Sequence, residues 1–151
     1  MQRNGVIKIP KNSKYNAKKV KYKELIFDSD LEMRYYRDYI EPRIESGEII
    51  KCDMQVNYEL QPKFEYMDKK ERAIVYRSDF DLTYADGHFV VIDTKGMVKP
   101  MDMLKLKMFK YKYPNIEIQF IGYSKTDGGF VPVDVIKKGR KERKKIKEAA
   151  K

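Results

Sequence analysis

At 151 residues with 42% hydrophobic content, the chain is the size of one ordinary domain with a single core, and it has no apolar run near the ~20 residues that span a bilayer. One cysteine, Cys52, and one histidine, His88, exclude an internal disulfide and a cysteine-rich zinc site, so any metal must rest mainly on oxygen ligands. The net charge of +10 points to an anionic partner, and the opening residues, charged and without an apolar segment, do not read as a signal peptide, so a soluble, cytoplasmic protein is expected.

Residues 1 to 23 hold eight Lys/Arg and no acids, residues 137 to 151 hold nine Lys/Arg against two acids, and the body between, 24 to 136, is acidic with 16 basic and 21 acidic residues. The chain thus divides into a basic N-terminal arm (1–19), one mixed body (20–136) and a basic C-terminal helix or tail (137–151). Such arms suit phosphate-backbone binding, with Lys18, Lys19, Lys141, Arg143 and Lys144 as candidate DNA contacts, and are expected to add little to the fold. Solvated tails are the alternative reading.

Within the body, residues 20–27 (VKYKELIF) read as a strand. Asp28-Ser29 then introduces a helix from about Asp30 to Tyr39 or beyond, which Pro42 kinks or restarts. Residues 49–66 look extended around Pro62, and 73–84 (AIVYRSDFDLTY) form a strand of β-branched and aromatic residues. The next strand, 89–95 (FVVIDTK), is apolar on both faces over Phe89–Ile92, as a central strand covered by helices would be. A helix from about Met101 to Lys112 and a strand over 116–122 (IEIQFIG) follow. The fold class expected is α/β, a mixed sheet flanked by helices.

The turn Ala85-Asp86-Gly87 allows two registers for this hairpin. A three-residue loop with Gly87 in the left-handed conformation pairs Tyr84 with His88 and sets Asp79 directly across from Asp93, whereas a two-residue loop puts the two aspartates on opposite faces. In the first register the carboxylates stand about 5 Å apart at Cβ and repel unless a cation lies between them. Lys95, two residues from Asp93, projects from the same face. Glu32 has two readings. Ser29-Asp30-Leu31-Glu32 has the form of a capping box, and Glu32 also shares a side with Tyr35, Tyr36 and Tyr39, at the edge of the face that packs inward.

Taken in order, Glu32 on the first helix, Asp79 in a hairpin strand and Asp93-Thr94-Lys95 in the next strand resemble the PD-(D/E)XK nuclease superfamily over about residues 20–122. LQPKF (60–64), YRSDFDLTY (76–84), VVIDTKG (90–96) and LKLKMF (104–109) look like a family of small phage-encoded endonucleases described as Holliday-junction-resolvase-like. Ser78 stands where the superfamily motif has proline, and Asp93 where many members have glutamate. The resemblance implies a restriction-endonuclease-like core and a phage protein acting in a bacterial host cell on DNA, branched or recombination DNA included, with a homodimer as one assembly. It implies Mg²⁺ or Mn²⁺ held by Asp79, Asp93 and the Thr94 backbone carbonyl. Glu32 would hold a water or a second metal, and Lys95 would orient or deprotonate the nucleophile. Asp81 is a reserve ligand, although the three-residue-loop register sets it opposite Val91.

Other residues have plainer readings: His88 as a surface turn residue, Cys52 as a small strand residue, and the tyrosines as core rim. Lys105 and Lys107, on the helix after the D-x-K strand, either grip DNA backbone or form a solvated face. The competing function is a noncatalytic nucleic-acid-binding protein that keeps a nuclease-like fold and works through its basic arms.

Overall fold

The computed structural model describes residues 18–151, so most of the basic N-terminal arm lies outside the described residues. Where one strand was expected over 20–27, two appear, β1 (Val20–Tyr22) and β2 (Leu25–Phe27), pairing as a hairpin with Tyr22 opposite Leu25. The reason lies in the apolar spacing: Val20 and Tyr22 have even numbers, Leu25 and Phe27 odd ones, so a single strand would split them between two faces. A turn at Lys23, whose φ is 53°, brings Tyr22, Leu25 and Phe27 onto the same core.

The first helical region comprises α1 (Asp30–Tyr35), a π-turn (Tyr36–Ile40) and α2 (Glu41–Glu45). The expected disturbance at Pro42 takes the form of this widened turn, in which the Glu41 N–H donates to the Tyr36 carbonyl. Proline has no N–H to return to the preceding turn, and widening that turn relieves the clash of its ring with the backbone.

Strands β3 (Ile49–Met54) and β4 (Asn57–Gln61) follow, then β5 (Phe64–Tyr66), β6 (Lys69–Glu71) and β7 (Ile74–Arg77). β4 pairs with β7, and β5 with β6. The segment expected as one strand over 73–84 breaks at Ser78-Asp79, and β8 (Phe80–Tyr84) leaves in a different sheet. Ser78 marks the break by donating its N–H to the Val56 carbonyl and its hydroxyl to Asp81 Oδ1. The remaining elements are β9 (Phe89–Thr94), α3 (Pro100–Lys112), β10 (Glu117–Ser124), β11 (Gly129–Pro132) and α4 (Val133–Ala149).

The principal sheet has the order β11-β10-β9-β8-β3, with β9 and β10 parallel and the other pairs antiparallel. The fold is therefore α/β with a mixed five-stranded sheet, and α3 is the crossover that parallel neighbours require. β9 is buried on both sides. Val90 and Ile92 join Phe27, Tyr35, Ile40, Phe80 and Leu82 beneath the first helical region, while Val91 packs with Leu60, Tyr76 and Phe109 on the other side. Among the described residues no helix is long and apolar enough to cross a membrane.

Of the two forms expected for the C-terminal segment, helix and tail, the helix appears. Rather than a basic tail added to a finished body, α4 begins before residue 137 and packs on the sheet through buried Ile136. Arg143, expected to grip DNA, forms a two-bond fork on Asp127 at 2.6 and 3.0 Å and fastens the helix to the turn after β10. We expect Ile136→Ala to lower the unfolding free energy by about 2–4 kcal/mol in denaturant titrations, the range for emptying a buried aliphatic site. A chain cut after Ile136 should unfold at lower denaturant still. An unchanged midpoint in both would return the segment to the status of a tail.

Candidate active site

The hairpin between β8 and β9 has the register of the three-residue loop. Phe80 pairs with Ile92, Asp81 with Val91 and Leu82 with Val90. The Tyr84 N–H donates to the His88 carbonyl, and Gly87 takes φ 88°, a left-handed conformation that glycine adopts without steric cost. Continued past the last ladder pair, this register sets Asp79 beside Asp93. Asp79 itself lies in the break between β7 and β8, where its N–H donates to the Ile92 carbonyl.

Asp79 Oδ2 accepts from both the backbone N–H and the hydroxyl of Thr94, at 2.7 and 2.9 Å. Thr94 thus enters the site through its donors. Burial, then the charges of Asp93 and Glu32, push the Asp79 carboxyl up to about 8. Asp93 is 4% exposed and accepts from the Tyr76 hydroxyl at 3.0 Å through Oδ2, while Oδ1 lies 3.2 Å from Lys95 Nζ. Burial raises the Asp93 pKa despite Lys95 and Tyr76, which both favour the ionised form.

Lys95 Nζ also lies 3.2 Å from Asp102 Oδ1. Burial alone would lower its pKa, but Asp93 and Asp102 more than offset this and hold it above the ordinary lysine value. It is therefore an ammonium, suited to orienting a ligand or countering negative charge rather than accepting a proton. Glu32 combines both of its expected readings. Its N–H donates to Ser29 Oγ at 3.1 Å, and its carboxylate accepts from the Ser29 hydroxyl and the Asp28 N–H, both at 3.3 Å, which caps α1. Yet Glu32 is buried, and burial, then Asp28, with a contribution from Asp93, push its carboxyl up to about 7.

Three elements thus bring Glu32, Asp79, Asp93 and Lys95 into one electrostatic unit. Two of its supports have no expectation behind them, Asp102 on α3 and Tyr76 on β7. A signal for Asp102 existed, since it sits two residues after Pro100 at the start of a helix and accepts from the Lys99 N–H at 2.8 Å. The reserve ligand, Asp81, stands apart: it is buried against Ser78 and Tyr58 as a structural acid. His88 pairs with Glu117 at 3.1 Å on the surface, and burial pushes the Cys52 thiol up to about 12, which disfavours its thiolate.

The expected DNA contacts fare unequally. Lys18, Lys107, Lys141 and Lys144 are exposed, the last with Glu148 at 3.9 Å, and Lys19 lies 3.5 Å from Asp28. Lys105, by contrast, donates to the Val75 carbonyl at 2.9 Å and ties α3 to β7.

Among the described residues no group of three or more Asp, Glu, His or Cys side chains stands where it could hold a metal ion. The donors nevertheless fit a hard divalent cation such as Mg²⁺ or Mn²⁺. They are all oxygens, their pKa values are raised by burial and then by one another's charge, and Mg²⁺ is typically held by one or two carboxylates with water and phosphate completing its shell.

This crowding gives a pH signature. A carboxyl whose pKa is higher in the folded chain stabilises the fold below its unfolded value, about 4, and that stability is lost as pH rises through the folded value. For Glu32 and Asp79 the window runs from about 4 to about 7 and about 8. In the presence of a chelator the melting temperature should fall between pH 5 and pH 8, and Asp79→Asn should flatten the decline. A wild-type melting temperature flat or rising with pH would show that burial and mutual repulsion do not hold these carboxyls above their ordinary range.

No curated protein and no solved structure matches the chain. Residues 12–127 match the model of a family described as a protein of unknown function, DUF1064. That match covers well over half of the sequence, and the chain belongs to this family.

Proposed function

We propose that this protein is a metal-dependent deoxyribonuclease that hydrolyses phosphodiester bonds. The observation that carries the reading is the convergence of Glu32, Asp79 and Asp93 on one another, with raised carboxyl pKa values, beside a lysine held as a cation by Asp93 and Asp102. On this reading the mixed sheet with its covered β9 is a restriction-endonuclease-like core. DNA as substrate, branched or recombination DNA included, follows from the resemblance of the YRSDFDLTY and VVIDTKG segments.

Asp79 and Asp93 are the residues to hold Mg²⁺ or Mn²⁺, with the Thr94 carbonyl in support. Bound there, the ion supplies a Lewis acid for the phosphoryl oxygen and lowers the pKa of a water nucleophile. Thr94 fixes Asp79 Oδ2 with two hydrogen bonds, which leaves Oδ1 as the oxygen for a ligand. Glu32, with a pKa near neutrality, can hold a water and exchange a proton with it. Lys95 offers its ammonium to charge building on the phosphoryl oxygens, and Asp102 positions that ammonium from the start of α3.

The test is cleavage of plasmid, duplex, single-stranded, flap and four-way-junction DNA with Mg²⁺, Mn²⁺ or chelator. Asp93→Asn and Lys95→Ala should each lose about 10²-fold or more in rate, by analogy with removing a key charge-stabilising group. Glu32→Gln separates the two roles of that residue, because glutamine can still cap the helix: activity should fall while the melting temperature holds. Full activity in Asp93→Asn would end the nuclease reading. A wild-type chain that binds DNA but cuts none of these substrates would favour the noncatalytic binder.

A further inference from the structure

Helix α4 is held at a fixed distance and rotation. At Gly122 of β10 a Cβ would stand 2.8 Å from Ile136 Cδ1 and 3.3 Å from the Lys95 carbonyl oxygen, so a side chain there would push the helix away. At Gly139 a Cβ would fall 2.2 Å from Asp127 Oδ1, and one turn later Arg143 closes on the same carboxylate. Ile136, Gly139 and Arg143 therefore mark the inward face. With 3.6 residues per turn, Lys137, Arg140, Lys141 and Lys144 share a neighbouring face, spread over about 10 Å of helix.

Two of these cations, Lys137 and Arg140, line a cleft of about 460 Å³ whose other walls include Arg34 of α1, Tyr123 of β10 and Lys95. The Arg34 guanidinium lies 4.4 Å from the centre of the Tyr123 ring and 5.9 Å from that of Phe130, so aromatic faces hold it in place. Among the described residues Arg34, Lys137 and Arg140 have no carboxylate within 4.0 Å, unlike Arg143 and Lys95. Cations without a close ion pair, one of them held by aromatic rings, around a cleft whose lining includes the lysine of the acid cluster, form a binding surface for an anionic chain. A single small anion would use one cluster, whereas a row along a helix matches a ligand with repeated charges. Arginine at two of the positions suits phosphate, which it can engage with two parallel hydrogen bonds.

We propose that this cleft is a phosphate track for a nucleic-acid strand, with Arg34 gripping the phosphate nearest the acid cluster and Lys137 and Arg140 those that follow. The direction of the track relative to a cut rests on the nuclease reading; the binding itself does not. The other anionic polymer surface, a membrane, fits less well because α4 turns its buried Ile136 face toward the sheet.

The experiment is fluorescence anisotropy of the full chain on short labelled duplex and single-stranded DNA in chelator, where no cut is expected, across a salt series. Each phosphate contact contributes about 0.9 to the slope of log K against log[salt] on duplex and about 0.7 on a single strand. Lys137→Gln with Arg140→Gln should reduce the slope by nearly two contacts, and Arg34→Gln by about one. Lys69→Gln with Lys70→Gln, the same charge loss on the exposed β5–β6 hairpin, should leave it nearly unchanged. Thermal melts show whether Arg34→Gln remains folded; the α4 pair, exposed and without ion-pair partners, carries the test if it does not. Unchanged slopes in the cleft variants, equal losses from the hairpin pair, or binding to phosphatidylserine vesicles without binding to DNA would each overturn the track. If these slopes appear in a chain that cuts no DNA with Mg²⁺, the track stands and the nuclease reading falls. Cleavage with unchanged slopes gives the reverse.

Discussion

The register of the β8–β9 hairpin governs the arrangement of both cores and of the acid cluster between them. Phe80 and Leu82 of β8, with Val90 and Ile92 of β9, fill the core under the first helical region, and Val91 fills the opposite one. Asp93 lies on the Val91 side, where the Tyr76 hydroxyl and the Lys95 ammonium relieve its burial. A slip of one residue in β9 would exchange its two sets, carrying Asp93 away from its partners into the apolar core under the first helical region. The turn at Gly87 prevents that slip, so a single left-handed glycine far from the acids helps to keep them in place.

Charge at the end of this sheet is unbalanced. Asp93 and Asp102 flank the one lysine, Glu32 and Asp79 add their charge to that of Asp93, and burial amplifies these interactions. The fold tolerates this because each acid accepts fixed hydrogen bonds: Asp79 from Thr94, Asp93 from Tyr76, Glu32 from Ser29 and the Asp28 N–H, Asp102 from Lys99. A hydrophobic cluster of the same volume would need none of these supports.

Much of this was legible in the sequence because its determinants are local. The Ala85-Asp86-Gly87 turn narrowed the hairpin to two registers, of which the three-residue loop is the one present, and Ser29 with Glu32 carried the start of α1. The failures share a cause in contacts between distant segments. One strand was expected across Ser78 because residues 73–84 have uniform β character, while the break depends on Val56, twenty-two residues away. Arg143 reads as one more basic residue until Asp127 is placed beside it, and Lys105 does so until the Val75 carbonyl is. The hairpin at 20–27 is a different case, for the change of parity between Tyr22 and Leu25 was present in the sequence and indicated a turn.

The double engagement of Glu32 couples the acid cluster to the beginning of α1. Its carboxylate is an acceptor for the Asp28 amide and, in the same position, one of the charges that Asp79 feels. Drawing it toward the other two acids, or protonating it, weakens its hold on that amide and loosens the first turn, where a negative charge also favours the helix dipole. Exchange of the Asp28 amide hydrogen with solvent is thus a local gauge of the cluster's charge state, readable without substrate and without turnover.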